Sequence, residues 1–514
     1  MREVRFPDAL SSLSRLLGPD GCLGLGTALY VMLGWFMGSI AVSLTRRLDR
    51  TGNPRAIRAL DRATTLYYPV VLAIHLFNVY ILDWLGQVRS LIGDVLLLDE
   101  FLVLLLPLVS IVALWMMQYP IIRRVREASL IRKCDAGEPV YPIWTMSQYV
   151  IAQARMHFAL LLLPILLVLT WGEAIDFWWP FENGVGPVSA QAAQYGTMFL
   201  GVAVLFTLAP VLINWLWDTV PLAPGELRSR LEHLCVRHRI RVRRILVWRT
   251  GGAVVNAAVM GVFAAVRYVL MTDALLDSMN DDETEAVMAH EIGHVRRHHL
   301  PWLALIMLSL FFFTGTLATW GINTIAQAAY PQSSTTAYGE YASESATADV
   351  WDRVLHNLSE WVLAPNEQLP AAQADANTAG RILMWLELGS AGASLVVALL
   401  AFGWVSRRFE RQADTFAVQH LSGMGRASDQ DVLITPEATY CMCRALTTVS
   451  EQSHTSLTRK SWRHGSMAWR LAYLMTLPGT PCNQVSVDRQ VRRIKLGALV
   501  LLILSAVTSY FIVV

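Results

Sequence analysis

The sequence predicts a mainly α-helical, multi-pass membrane protein of about eight spans, carrying an α+β domain that is split by a transmembrane hairpin. Three observations predict it. Of 514 residues, 54% are hydrophobic and 16% charged, against roughly 25% charged in an ordinary soluble domain; mean hydropathy is +0.40. Eight apolar stretches reach the length of about 20 residues that a bilayer core demands. The loops between them alternate sharply in arginine content. Lys+Arg 42 nearly cancels Asp+Glu 40, which excludes a basic nucleic-acid-binding face. Only Lys133, Lys460 and Lys495 are lysines, a bias toward arginine that suggests a GC-rich, bacterial genome. The six cysteines contain no C-x-x-C pair, so neither a disulfide framework nor a cysteine zinc site is indicated.

The stretches run 22–44, 65–85, 101–118, 156–172, 195–217, 300–322, 386–405 and 495–514. The first is too long for a signal-peptide core and ends in Arg46-Arg47, so it reads as a retained span. Loop charge sets the orientation. Residues 45–64 carry Arg46, Arg47, Arg50, Arg55, Arg58 and Arg62, and 119–155 carry Arg123, Arg124, Arg126, Arg132, Lys133 and Arg155. By contrast, 86–100 has only Arg89, and 173–194 has no basic residue. Both termini are therefore expected outside, with 218–299 and 406–494 in the cytoplasm and the acidic, Ala/Ser/Thr/Gln-rich loop 323–385 outside. The expected organisation is an N-terminal membrane domain (1–217), a first domain half (218–299), a hairpin (300–405), a second half (406–494) and a final span (495–514). Neither half alone makes more than a small domain, and together they make one of ordinary size.

Residues 290–294 read His290-Glu291-Ile292-Gly293-His294. On a helix, positions i and i+4 share a face, so both imidazoles can address one metal ion, and Glu291 sits beside that face where it can take a proton from water. Asp281, Asp282 and Glu283 before the motif and Arg296 and Arg297 after it complement a helix dipole. A zinc site with an open position takes three protein ligands, and Glu410 is the best third candidate. From spacing alone it reads more simply as a surface partner of Arg407 or Arg411. Its place just after the span ending near 405, with the His290 motif just before the span starting near 300, puts both at adjacent ends of one hairpin. Asp414, four residues on, can hydrogen-bond a ligand histidine and hold its tautomer. His298 and His299 read as interface residues, and Cys441-Met442-Cys443 as buried packing.

This combination resembles the membrane-bound gluzincin zinc metallopeptidase family of CAAX prenyl protease 1 and HtpX. The resemblance rests on Asn256-Ala257, on Asn280-Asp281-Asp282-Glu283 leading into the histidine motif, on the two-span hairpin, on Ser406-Arg407 through Asp414, and on His464 with Arg470 six residues later. Gly465-Ser466 stands where the family usually has two prolines. The resemblance implies a zincin-like metalloprotease domain with one Zn2+ held by His290, His294 and Glu410, and Asp414 behind a ligand. Glu291 would be the general base, His464 or Arg470 the oxyanion donor, and Asn256-Ala257 part of a substrate edge strand. His464 reads equally as a surface residue, and the strand as ordinary core.

The expected activity is a zinc metalloendopeptidase of a bacterial inner membrane, its zinc domain cytoplasmic, with membrane-associated polypeptides as substrates and the bilayer as a partner. Quality control of membrane proteins is favoured over processing of prenylated CAAX tails. A site-2-type intramembrane protease is disfavoured because the motif lies among charges outside an apolar run. A transporter or scaffold stapled by structural zinc is disfavoured because such a site needs no base.

Overall fold

The computed structural model describes residues 11–93, 95, 97–137, 140–178, 187–329, 371–425, 432–453 and 456–513. The outer loop expected at 323–385 lies mostly outside them. The chain divides into two compact units, between Trp217 and Asp218.

The N-terminal unit is helical: α1 (Ser11–Thr51), α2 (Arg55–Tyr80), α3 (Trp84–Ile92), α4 (Leu98–Ala136), α5 (Met146–Trp178) and α6 (Pro187–Leu216). Its core draws Tyr30 and Met37 from α1, Leu60 and Val71 from α2, and Leu114 and Ile121 from α4. Two buried polar contacts cross-link these helices, offsetting the cost of apolar surroundings: the Tyr67 hydroxyl lies 2.6 Å from Ser110 Oγ, and Gln118 Nε2 donates to Thr64 Oγ1 at 2.6 Å. α5 bends by 47° between Phe158 and Leu162. Pro164 accounts for the bend, since its ring removes the bond to the carbonyl four residues back and clashes with it.

The second unit holds a small sheet and the remaining helices. Its strands β1 (Thr219–Pro221), β2 (Arg244–Trp248), β3 (Ala257–Met260) and β4 (Tyr268–Thr272) lie in the order β1-β2-β4-β3. β2 and β4 are parallel, while β1 and β3 run antiparallel on the flanks. The β2–β4 connection is long enough for the crossover that parallel pairing needs. Every residue of β4 is buried, as befits a strand covered on both faces. The helices are α7 (Glu226–Arg237), α8 (Asp273–Ser278), α9 (Asp281–Arg296), α10 (His299–Ala329), α11 (Ala371–Leu421), α12 (Pro436–Gln452), α13 (Met467–Leu474) and α14 (Ser486–Val513). One apolar core joins them, with Leu234 of α7, Met271 of β4, Ile292 of α9, Phe416 of α11 and Met442 of α12 all within it.

Among the described residues, five helices are long and apolar enough to cross a membrane: Asp20–Thr51, Leu98–Arg132, Gly196–Leu216, His299–Ile322 and Gly389–Leu421. Counting two bent pairs, Arg55–Tyr80 with Trp84–Ile92 and Met146–Phe158 with Leu162–Ile175, raises this to seven. Those seven coincide with seven of the eight expected stretches. The eighth, 495–514, is helical to Val513, but it is not among the helices that meet the length and apolarity criteria. A second difference lies in α11. The span was expected to end near 405, but one helix of 51 residues runs on through Glu410 to Leu421.

Candidate active site

α9 starts where the sequence signals a start. Asn280 caps it, its side-chain oxygen accepting from the Glu283 amide at 2.8 Å, and Asp281, Asp282 and Glu283 fill the first turn. Cap and charge both satisfy the exposed amides and the positive end of the dipole. The helix packs against α11 through Gly293: a Cβ there would stand 3.2 Å from Phe416 Cβ and 3.3 Å from Ala413 Cα. The missing side chain lets the two helices approach, and their facing side chains meet.

His290, His294 and Glu410 meet at that approach, with one ligand-capable atom of each within 4.8 Å of the others. His290 Nε2 and His294 Nε2 are 3.2 Å apart. Glu410 Oε2 lies 3.7 Å from His290 Nε2, and Oε1 lies 3.8 Å from His294 Nε2. Donors at about 2.0–2.2 Å from a tetrahedral zinc are themselves roughly 3.3–3.6 Å apart, so this triangle fits that ion. The donor set, two imidazoles and a carboxylate, also suits zinc with a position left open.

Asp414, fully buried, sits behind His290, with Oδ1 2.9 Å from Nδ1. Arg470 fixes Asp414 from the other side, donating through Nε at 2.8 Å and through Nη2 as well. Arg470 Nη1 is also 3.3 Å from Glu410 Oε2, and His464 Nδ1 lies 2.8 Å from Glu410 Oε1. The two residues therefore bracket the Glu410 carboxylate, a contact that spacing did not foretell. His464 is half exposed and Arg470 buried. Gly465 explains the departure from the two-proline pattern. Its φ of +76° lies in the left-handed region that proline cannot enter, and Ser466 caps α13 by accepting from the Trp469 amide. That turn carries the chain from His464 to Arg470.

Asn256 and Ala257 lie where β3 begins. The Asn256 carbonyl accepts from the Thr272 amide of β4 and the Asn256 amide donates to Thr272 Oγ1, each at 3.0 Å, and β3 is an outer strand of the sheet. The Val259 backbone of β3 acts to lower the Glu291 carboxyl pKa, so the catalytic-base candidate lies beside the edge strand.

Burial pushes the Glu291 carboxyl up to about 7, reinforced by Glu410 and opposed by His290 and Arg470. Burial also pulls the His294 imidazole down, to about 4. At His290 burial pulls downward, and the Asp414 carboxylate more than offsets it. Burial works against the charge of Arg470 too, but Asp414 and Glu410 hold it firmly protonated.

His299, read from sequence as an interface residue, belongs to this site. Its Nδ1 lies 2.9 Å from His294 Nδ1, and its Nε2 lies 2.9 Å from Gln412 Oε1. Gln412 in turn donates to Asp488 of α14, which also pairs with Arg297. Cys441 and Met442 are buried, in line with a packing role.

The family model described as Peptidase family M48 matches residues 221–440. Residues 221–440 are thus similar to that family. The matched segment contains all three metal-ligand candidates, Glu291 and Asp414, and ends before His464 and Arg470. The chain is similar to a CAAX prenyl protease 1 homolog of Arabidopsis thaliana, 32% identical over 123 residues, 23% of this chain and 29% of that protein. It is also similar to a protease HtpX homolog of Aeropyrum pernix, 31% identical over 126 residues, 24% of this chain and 39% of that protein. The chain thus spans about a third of the length of the curated relatives it matches. A crystal structure of S. mikatae Ste24p aligns with a TM-score of 0.41 at 16% identity, covering 87% of this chain and 97% of that one, a likeness too loose to argue from. M48 peptidases are zinc metalloproteases.

Proposed function

We propose that the protein is an integral membrane zinc metalloendopeptidase that cleaves membrane-associated polypeptides. The observation that carries this reading is the triangle of His290, His294 and Glu410, with edges of 3.2, 3.7 and 3.8 Å and Glu291 next to it in sequence. His290, His294 and Glu410 would hold one zinc ion per chain. When bound, zinc supplies Lewis acidity, making a water acidic near neutral pH and polarising a carbonyl. Glu291, with a carboxyl raised to about 7, accepts a proton from the attacking water and delivers it to the departing amine. Asp414 keeps His290 oriented through Nδ1, and Arg470 keeps Asp414 oriented. His464, half exposed, would donate to the oxygen that gains charge in the tetrahedral intermediate. An extended peptide adds to the outer edge of β3, near Asn256 and Ala257, by backbone hydrogen bonds.

The domain halves 218–299 and 406–494 then form one peptidase domain, on the cytoplasmic side of a bacterial inner membrane with eight spans. Quality control of membrane proteins suits such an enzyme. The similarity to a CAAX prenyl protease 1 homolog supports a second reading, the processing of prenylated tails.

The test is zinc content and cleavage of casein or a membrane-protein substrate by the detergent-purified protein, beside Glu291→Gln. Wild type should hold about one zinc and cleave, while the variant keeps its zinc and loses at least 100-fold in rate. If both bind zinc and neither cleaves any peptide offered, the metal is structural and the peptidase reading falls.

A further inference from the structure

The N-terminal unit carries a long groove that the peptidase chemistry does not use. Its volume is about 1260 Å³, above the ~300–1,000 Å³ of ordinary small-molecule sites. One face of α1 forms a wall, recurring every three or four residues from Thr27 to Thr51, and α4 forms the facing wall through Leu106, Val109 and Ala113. For most of its length the groove is apolar. At one end, Arg46, Arg47 and Arg50 line it together.

Those arginines are exposed, and among the described residues none of them pairs with a carboxylate. Asp49, the acid between them in sequence, faces Arg124 of α4 at 3.4 Å instead. Among the described residues, no acidic side chain lines the groove. Arginines at the ends of spans commonly serve only to orient the helix. Here three converge on the mouth of a cleft that is otherwise uncharged, mostly apolar and helix-length. That is the distribution of charge along a lipid, with an anionic head and hydrocarbon tails.

We propose that the groove between α1 and α4 binds one anionic phospholipid, with its phosphate on Arg46, Arg47 and Arg50 and its acyl chains along the face of α1 that includes Gly34 and Val42. Guanidinium groups match phosphate oxygens in bidentate geometry and add to the general attraction of basic residues for acidic lipid. Ser43, one turn from Arg46 and Arg47 and lining the same face, lies about 5 Å further along the helix, at the depth of the glycerol esters. Gly34 leaves space for a chain: a Cβ there would meet nothing within 4 Å.

The test is binding to the delipidated full-length protein in detergent, read by native mass spectrometry, with phosphatidylglycerol against phosphatidylcholine of identical chains. Wild type should retain one phosphatidylglycerol with about tenfold or greater preference. Arg46→Gln/Arg47→Gln/Arg50→Gln should abolish the preference, and Gly34→Phe, which fills open space, should remove the bound lipid while the helical circular dichroism stays unchanged. Arg155→Gln, an exposed arginine of α5, should behave as wild type. Equal binding of the two lipids overturns the proposal, as does a preference that survives both the triple variant and Gly34→Phe. Displacement by glycerol phosphate as readily as by phosphatidylglycerol would mean an anion site without a lipid, and overturns it too.

Discussion

His299 shows how a single residue escaped the sequence and still belongs to the site. The pair His290 and His294 was legible because the four-residue spacing of a helix alone puts them on one face. His299 is five residues beyond His294, past the end of α9 at Arg296, and periodicity says nothing across that break. Its position depends on His298, whose φ of 55° places a non-glycine residue in the left-handed region and turns the chain sharply into α10. The turn returns His299 to His294 Nδ1 at 2.9 Å, with Gln412 holding the far side of its ring. A partner on the second nitrogen of a ligand histidine fixes ring and tautomer, and its loss typically costs 10–100-fold in metal affinity. His299→Ala should therefore release zinc to a competing chelator at a 10–100-fold lower chelator concentration, with helical content retained. Unchanged zinc retention would reduce His299 to a packing residue.

At the scale of elements, the sequence carried the type and order of the helices better than their ends. The acidic first turn and the basic last turn of α9 marked a helix through local chemistry, and that helix is present, with Asn280 as its cap. The join between the span 386–405 and the Glu410 segment was not legible, because Ser406-Arg407-Arg408 reads as a polar break while nothing in it stops a helix. α11 continues to Leu421, so Glu410 is held by the same rigid rod that carries the span. The bend of α5 had a visible cause in Pro164, but its angle follows from packing. The contact of α9 with α11 depends on Gly293, and it defines a graded test. Alanine at 293 gains about 1 kcal/mol of helix propensity against a Cβ contact at 3.2 Å, so Gly293→Ala should lie close to wild type in stability. Gly293→Val adds branched atoms where no room exists, and overpacking of that kind costs about 1–3 kcal/mol. The valine variant should melt lower and bind zinc more weakly, since parting the helices opens the triangle. A valine variant with wild-type melting and zinc affinity would show that the helix spacing does not depend on Gly293.

Across the whole molecule, the sequence divided the site between segments that only the fold can unite. His290 and His294 come from α9 and Glu410 from α11, with the α10 span and the undescribed residues 330–370 between them. An ion held by both helices binds the folded arrangement and has no equivalent set of donors in the unfolded chain. By linkage it stabilises the fold by RT ln(1 + [L]/Kd), about 4 kcal/mol when free zinc stands ~1,000-fold above Kd. For a cooperative unit of a few hundred residues, each kcal/mol moves the midpoint by roughly 2–4 °C. Removing zinc with a chelator should then lower the melting temperature of the detergent-purified protein by roughly 10 °C, and adding zinc back should restore it. Glu291→Gln, which leaves all three donors in place, should show the same shift. His294→Ala should melt near the chelated wild type and respond to neither treatment. If chelation strips the zinc and the melting temperature does not move, α9 and α11 are held by packing around Gly293, Ala413 and Phe416 alone, and the metal contributes chemistry without contributing stability.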